Sequence, residues 1–503
     1  MSSLSPQHAE APLVLALDLG SSSLRAIVYD RLGREVAGTE GRTPYEWRRT
    51  SGGGVEADPD AILDGTFRAI DQAVAGAGAA AAAIRAVGIS TFWHNIMGVG
   101  GDGRPVTPLY SWADERSAAA ARRLREQLDE EAVRRRTGCV FHPSYPAARL
   151  LWLRDAAPEA YRAARRWLSI GEYLLCRCFG RAVCSISMAS GSGLLDQRRC
   201  EWDAELLHVL GLAPDRLSPL GDLDAAVSGL APAFAARWPA LAAVPWLPPA
   251  GDGALSNLGA GCVTPSRAAL AIGTSGAVRV VRPEPARAIP RGLWTYRVDR
   301  ARLLVGGAVS NGGSVYHWVN AQVALGGHDA VEQALRTRAP AAHGLVVLPF
   351  LAGERSPEWP LVARGAIVGM TLSTEPLDVL QAGLEAIAYR LALIWDLLAA
   401  TVPDAREIVA SGGALRGSPA WVQILADVFG HDVILSDEEE ASSRGAALVA
   451  LEVLGAGRAD AAPVSSGTVF RPDAERAARY RDARARHRDV EQALAPMQAL
   501  FGP

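Results

Sequence analysis

The chain of 503 residues contains no lysine; all 51 basic residues are arginine. That absence removes the P-loop G-x-x-x-x-G-K-[ST], the protein-kinase strand lysine, Schiff-base catalysis and pyridoxal-phosphate enzymes, each of which needs a lysine amine. A nucleotide, if one is bound, must be held by turns, hydroxyls, carboxylates, a divalent ion and arginine. Cysteine is scarce as well. There are six, and the close pair Cys176 and Cys178 is a lone C-x-C with no second pair, so no zinc site is expected. No run of about 18 apolar residues is free of charges or turn residues, so no membrane span is expected. The first eleven residues are polar, without a basic segment leading into an apolar one. A secretion signal is therefore not expected, and the cytoplasm is the expected compartment. Net charge is only −3, so neither nucleic acid nor an anionic membrane is an expected partner. What is present is an ordinary globular balance, 49% hydrophobic and 21% charged, over a length that suggests two to four domains.

Leu13 to Asp30, LVLALDLGSSSLRAIVYD, reads strand, tight turn, strand. The first run is apolar except for Asp18 near its end, as suits a strand buried on both faces. Gly20, Ser21 and Ser22 follow. Their backbone N–H groups and hydroxyls can hold phosphate oxygens, and Asp18 can hold Mg²⁺. A plain hairpin with a serine turn is the alternative. Residues 268–281, AALAIGTSGAVRVV, repeat the pattern about half a chain later, with Gly273, Thr274, Ser275 and Gly276 in the turn. Repetition of one supersecondary unit implies two halves on one plan, and two such turns facing across a cleft would clamp a polyphosphate.

Between and after the repeats, several stretches carry chemistry or punctuation. A third short strand is expected near Glu35 to Gly38, and Asp58-Pro59 reads as a helix start, running to about Val74. Ile84 to Ser90 is a buried strand delivering Thr91, Phe92, Trp93, His94 and Asn95 at its C-terminal end, where open α/β sheets bind ligands. Gly98, Gly100 and Gly103 fit G-x-G-x-x-G, but Pro105 forbids the helix that motif needs, so a hairpin turn is expected. In LYSWADER, Asp114 and Arg116 can bond the hydroxyls of a polyol and Trp112 can stack on its carbon face; Asp114 also reads as the cap of the helix that follows. Ser185 to Leu195 reads as a loop or short strand. Pro245 to Gly261 is the densest Pro and Gly segment, a domain junction. Asp252 lies there between two glycines, a candidate base or an ordinary turn aspartate. Leu303 to Ser310 is a strand, after which Asn311, Gly312 and Gly313 turn into a helix. Leu345 to Leu351 reads as a strand and Asp378 to Leu398 as a long helix. Ile408 to Ala410 is a buried strand followed by Ser411, Gly412, Gly413 and Ala414. Arg444 to Leu454 reads as a small-residue helix, and residues from Ala474 onward as an exposed terminal helix.

The ordered set DLGSSSLR, GVEADP, GISTFWHN, SWADER, GDGALSNLGAG, IGTSG, LPFLAGERSPEW and SGGALRGSPAWVQILADVFG resembles the FGGY family of carbohydrate kinases over roughly Leu13 to Leu454. Gly383 departs from the family's C-terminal signature, where a larger residue is usual. The resemblance implies an α/β chain of two actin-like, ribonuclease-H-like ATPase domains with a cleft between them, here divided as residues 1–250 and 251–503. It implies ATP and Mg²⁺ as cofactors and a small-molecule sugar or sugar acid as partner; a homodimer is left open. By the family pattern Asp252 is the catalytic base and Asp18 the metal ligand. Thr274 and its flanking glycines meet the phosphates, while Gly412, Gly413 and Ala414 lie along the adenosine; Gly312 joins this cofactor set. His94, Trp112, Asp114 and Arg116 face the sugar. Thr91-Phe92-Trp93-His94 replaces the Asn-Gln-Arg-Glu run of glycerol kinases, and the Phe-Trp-His variant looks most like family members assigned as gluconokinases. Gluconate is the favoured acceptor, with Arg149, and Arg116 second, to meet its carboxylate. A ketopentose such as xylulose or ribulose is the alternative, as is a non-kinase actin-like ATPase.

Overall fold

Leu13–Leu19 form β1 and Ser23–Tyr29 form β2, an antiparallel hairpin whose β1 residues are all buried. This is why β1 is apolar without alternation: both its faces are covered. The computed structural model describes residues 4–283, 289–463, 466–498 and 500. Gly41–Pro44 (β3) extends the hairpin on the β2 side, and Ile84–Thr91 (β4) and Ala250–Gly251 (β5) extend it in parallel on the β1 side, giving the order β5-β4-β1-β2-β3. The helix Pro59–Ala77 (α1) covers one face; Asp58 caps it and Pro59 opens it. The second sheet contains Arg267–Ile272 (β6), Gly276–Pro283 (β7), Trp294–Arg297 (β8), Arg302–Val309 (β9), Glu407–Ser411 (β10), Val433–Ser436 (β11) and Gly467–Phe470 (β12), ordered β8-β9-β7-β6-β10-β11-β12. Its inner five strands, β9-β7-β6-β10-β11, repeat the order and the parallel and antiparallel senses of β3-β2-β1-β4-β5. The internal repeat is thus one topology built twice.

Asp252–Gly259 (α2) opens on the cavity between the halves, Gly313–Gln322 (α3) starts behind the turn at Gly273, and Ala441–Val453 (α4) begins at the cavity wall. The last comes from the second half of the sequence but lies against β1 and β4 of the first sheet and across α2. Glycines allow this closeness. A Cβ on Gly88 would stand 2.2 Å from Ala446 O, one on Gly259 1.8 Å from Ala441 O, and one on Gly445 1.9 Å from Leu255 O. The expected division between residues 250 and 251 falls inside β5, and α4 crosses it.

Several local expectations are corrected. Glu35 and Val36 make only isolated bridges; Gly38, at φ +76°, turns the chain before β3 begins at Gly41. Ser185 caps a short helix, Ile186–Ser190, by accepting a bond from Met188 N. Asp114 is not a helix cap: the helix starts at Ala118, and Asp114 accepts from Val55 N instead. The expected strand 345–351 is regular only over Val346–Leu348. The terminal helix, Ala474–Gln498, is docked through buried Ala477, Tyr480, Ala483 and His487. The unusual Gly383 sits in the helix Pro376–Thr401, where a Cβ would come 2.8 Å from Val315 Cγ1 of α3, so the small residue lets two helices touch.

Candidate active site

Both glycine turns open on one cavity of about 580 Å³, bordered by residues of both halves. Asp18 stands at its floor, at the end of β1 and opposite Arg25 in the hairpin register. Arg25 Nη1 lies 2.9 Å from Asp18 Oδ2 and 3.2 Å from Glu440 Oε2. The Asp18 carboxyl is held above its usual value by burial, with Arg25 opposing. Its other oxygen, Oδ1, is buried without a hydrogen-bond partner among the described residues. An orphaned carboxylate oxygen on a residue that borders the phosphate-type turns fits a hard divalent cation. Among the described residues no cluster of three or more His, Cys, Asp or Glu side chains could hold a metal by itself. That suits an ion such as Mg²⁺, bound through a carboxylate and substrate phosphates rather than a protein cage. The turn after Asp18 is pinned from behind, Tyr45 donating to Gly20 O at 2.9 Å and Trp47 Nε1 to Ser21 O at 2.7 Å. Gly20, Ser21 and Ser22 therefore present fixed backbone and hydroxyl groups to the cavity.

Across the cleft, Gly273, Thr274, Ser275 and Gly276 line the same cavity. Gly273 N bonds Ser275 O, and Gly313 N, in the first turn of α3, bonds Gly273 O. Gly312 lies behind this turn rather than on the wall; a Cβ there would stand 2.7 Å from Ser275 O. Gly412 and Gly413 line the cavity. Gly412 has φ +112°, and a Cβ on it would stand 2.2 Å from Ile272 O, so both conformation and space demand glycine. Ala414 stands one residue back from the wall, near Gly313.

Asp252 opens α2 instead of sitting in a bare turn. Its flanking glycines exist because the Trp93 indole packs on the backbone. A Cβ on Gly251 would stand 1.8 Å from the ring, and one on Gly253 2.6 Å. Trp93 is itself fixed by its Nε1–H bond to Ser187 O. Asp252 Oδ1 accepts from Gly253 N at 2.7 Å. Burial raises the carboxyl to about 6, with Arg279 pulling the other way and Asp18 adding to the rise. A carboxylate ionised near neutrality, between two phosphate-type turns, can take a proton from a hydroxyl.

His94 sits beside it with φ +63°, strained for a residue other than glycine. Its Nδ1 is 2.5 Å from Gly191 O, and since a carbonyl only accepts, Nδ1 carries the proton and Nε2 is left as an acceptor. Burial pulls its pKa down to about 3, so the ring is neutral. Tyr296 OH lies 3.5 Å from Nε2 and 2.7 Å from Tyr145 OH. Trp112 lines the same end, with the Arg355 guanidinium 4.7 Å over its ring.

Asp114, Arg116 and Arg149 do not border the cavity. Arg116 is absorbed by Asp114 and Glu56, its Nη2 2.8 Å from Glu56 Oε2, and stacks 4.9 Å over Trp152. Arg149 is fully buried and donates to three carbonyls: His94 O at 3.0 Å, Pro143 O at 2.9 Å and Asp114 O at 3.4 Å. Burial brings its pKa down to about 10. Arg149 thus positions His94 from behind, and its geometry does not fit the expected carboxylate contact. Arg149→Met should leave those carbonyls unpaired and cost about 3 kcal/mol. A urea titration checks this: the midpoint should fall sharply, and acceptor KM ratios should not change.

Sequence reasoning missed Arg279 and Arg355, both on the cavity wall. The signal for Arg279 was available, as a lone charge inside the apolar run GAVRVV. Trp93 and Tyr296 were also not assigned to the site; Tyr296 lies about 200 residues from His94 in sequence and carries no local signature.

Known proteins resemble this chain over most of its length. Residues 13–259 match the N-terminal domain, and residues 268–452 the C-terminal domain, of the FGGY family of carbohydrate kinases. A gluconokinase from Bacillus subtilis (strain 168) is 28% identical over 88% of each chain. Two solved structures from Lactobacillus acidophilus, each 27% identical, superpose with a TM-score of 0.87. One is a gluconate kinase, covering 97% of this chain and 99% of its own, and the other a ligand-bound xylulose kinase, covering 99% and 100%.

Proposed function

The chain belongs to the FGGY family of carbohydrate kinases, two actin-like domains that transfer phosphate from ATP to a carbohydrate, and from that premise we propose that its acceptor is gluconate, converted to 6-phosphogluconate. One observation carries the reading: the half-buried Asp252 carboxyl, which desolvation raises to about 6, lies in a single cavity with both phosphate-type turns and an aromatic acceptor end. Asp252 accepts the proton of the terminal hydroxyl as that oxygen attacks the γ-phosphorus, and the bond to ADP breaks. Gly20 to Ser22 and Gly273 to Gly276 hold phosphate oxygens. Gly412, Gly413 and Ala414, with Gly312 behind the turn, shape the nucleotide side. Neutral His94 accepts a bond from a sugar hydroxyl, and Trp112 offers its face to the carbon chain. Asp18 is the side chain placed to hold Mg²⁺, which would neutralise polyphosphate charge. Phosphoryl transfer depends mainly on such positioning and charge placement.

Gluconate is favoured over a neutral sugar by the gluconokinase relative and by Arg279 and Arg355 of the cavity, which have no carboxylate at ion-pair distance among the described residues. The equal likeness to a xylulose kinase supports a ketopentose as the second reading. We place the reaction in the cytoplasm; Cys139, Cys176, Cys178, Cys184 and Cys262 are free thiols, which suits a reducing compartment. Coupled ADP release across gluconate, xylulose, ribulose, glycerol and other sugar acids tests the acceptor. Gluconate should give the highest kcat/KM, and activity confined to ketopentoses would overturn the assignment while leaving the kinase intact.

A further inference from the structure

Arg279 lies mid-strand in β7, in register with Ala269 and Gly306, and is nearly buried at 9% exposure. A charge in the middle of a buried strand is costly unless something pairs it. Among the described residues no carboxylate comes within ion-pair distance. Its partners are neutral: Nε donates to Asn257 Oδ1 at 3.1 Å and Nη2 to Ser256 Oγ at 3.0 Å. Both sit on α2, beyond Asp252, so they fix the guanidinium plane without cancelling its charge. Among the described residues Nη1 makes no hydrogen bond. Glycines clear the space: a Cβ on Gly306 would stand 2.8 Å from Arg279 Cγ, and one on Gly253 2.5 Å from Nη1. The strand supplies direction. β7 leaves the phosphate turn at Gly276, and Ala277 and then Arg279 meet the cavity, so Arg279 lies three residues, about 10 Å, along the strand from that turn. That is where the acceptor must lie.

Arg355 faces the same cavity from the second half. It is also buried, donates Nη2 to Val309 O, and has no ion-pair partner among the described residues. The neighbouring Glu354 is turned away, bonding Ser310 N and lying 3.4 Å from Arg390. The two guanidiniums feel each other's charge. Two cations without a carboxylate at ion-pair distance among the described residues meet at the acceptor end, and Asp252 acts on both from farther away.

Resting on the sugar-acid reading above, we propose that Arg279 reads the acceptor's carboxylate through its Nη1 edge, with Arg355 facing it. The ligand class is an aldonic acid with a free terminal hydroxyl. Arg279 is then a specificity-determining residue. Arg355, stacked on Trp112, completes the positive field.

The test measures equilibrium binding of gluconate, of the neutral polyol glucitol and of MgATP to the full chain by calorimetry, alongside the KM for gluconate. Wild type should bind gluconate at least tenfold tighter than glucitol. Arg279→Gln should weaken gluconate about tenfold to a hundredfold, the range for a charge-assisted pair. It should bring gluconate and glucitol together and leave MgATP binding within about threefold. Arg279→Lys, which keeps the charge but not the fork, should recover part of the loss. If wild type binds glucitol as tightly as gluconate, the inference fails without any variant. If wild type turns over gluconate but Arg279→Gln keeps its gluconate affinity, or loses MgATP equally, Arg279 is not the carboxylate reader and the acceptor assignment stands. If wild type takes no sugar acid at all, both readings fall. Thermal unfolding of each variant shows whether it folds, and the wild-type comparison decides alone if Arg279→Gln does not.

Discussion

Asp252→Asn lowers kcat by about 10²-fold or more while MgATP and acceptor still bind, because the change keeps the shape and removes only the base. The side chain starts a helix whose first turn is fixed by the Trp93 indole, so an amide should sit where the carboxylate does. The pH profile makes the test sharper. Burial lifts the Asp252 carboxyl to about 6, and its surroundings are Arg279, Asp18, Arg355, Tyr296 and neutral His94. A base must be ionised to accept a proton, so kcat/KM in the wild type should fall as pH drops through about 6 and level off above it. The residual activity of Asp252→Asn should lack this acid limb. Wild-type kcat in the variant would remove Asp252 from the reaction.

Asp18→Asn is expected to be nearly as damaging, by a different route. The wild-type oxygen Oδ1 is buried and unpartnered among the described residues, and Arg25 holds the other oxygen from one side. An amide offers a weaker oxygen to a divalent ion and no charge. The rate with saturating acceptor should fall about 10²-fold, the scale for loss of one electrostatic element at a reaction centre. The Mg²⁺ concentration for half-maximal rate should rise by about tenfold or more, since loss of even an outer hydrogen-bond partner of a metal ligand costs that much. Acceptor binding without nucleotide should be unaffected. A Mg²⁺ titration of the rate reads both quantities, and an unchanged midpoint with unchanged kcat would take Asp18 out of the metal site.

The features legible in the sequence are those set by local pattern. The glycine turns, the buried strands feeding them and the repeat of the whole unit all follow from which residues a strand or turn tolerates, and the two sheets share that plan. Asp252 was visible as a charge between glycines, but those glycines suggest a turn. They are needed because Trp93, about 160 residues away, lies on that backbone, and nothing local reveals it. Arg149 was misread for a related reason. Its charge suggested a ligand, yet three carbonyls from separate segments satisfy it, including that of His94. Asp114 and Arg116 likewise found each other and Glu56. The helix α4 crosses to the first sheet through contacts between distant glycines and carbonyls, which sequence spacing cannot show. Arg279 is the opposite case: a lone arginine in an apolar strand is a local signal.

Following the γ-phosphate of ATP by ³¹P NMR in the presence of gluconate tests the central claim most directly. A phosphomonoester signal coupled to the C6 methylene protons should grow in equal amount with ADP, and only when gluconate is present. Growth of inorganic phosphate instead, at a rate independent of gluconate, would contradict it and mark the chain as an ATPase without a sugar-acid acceptor.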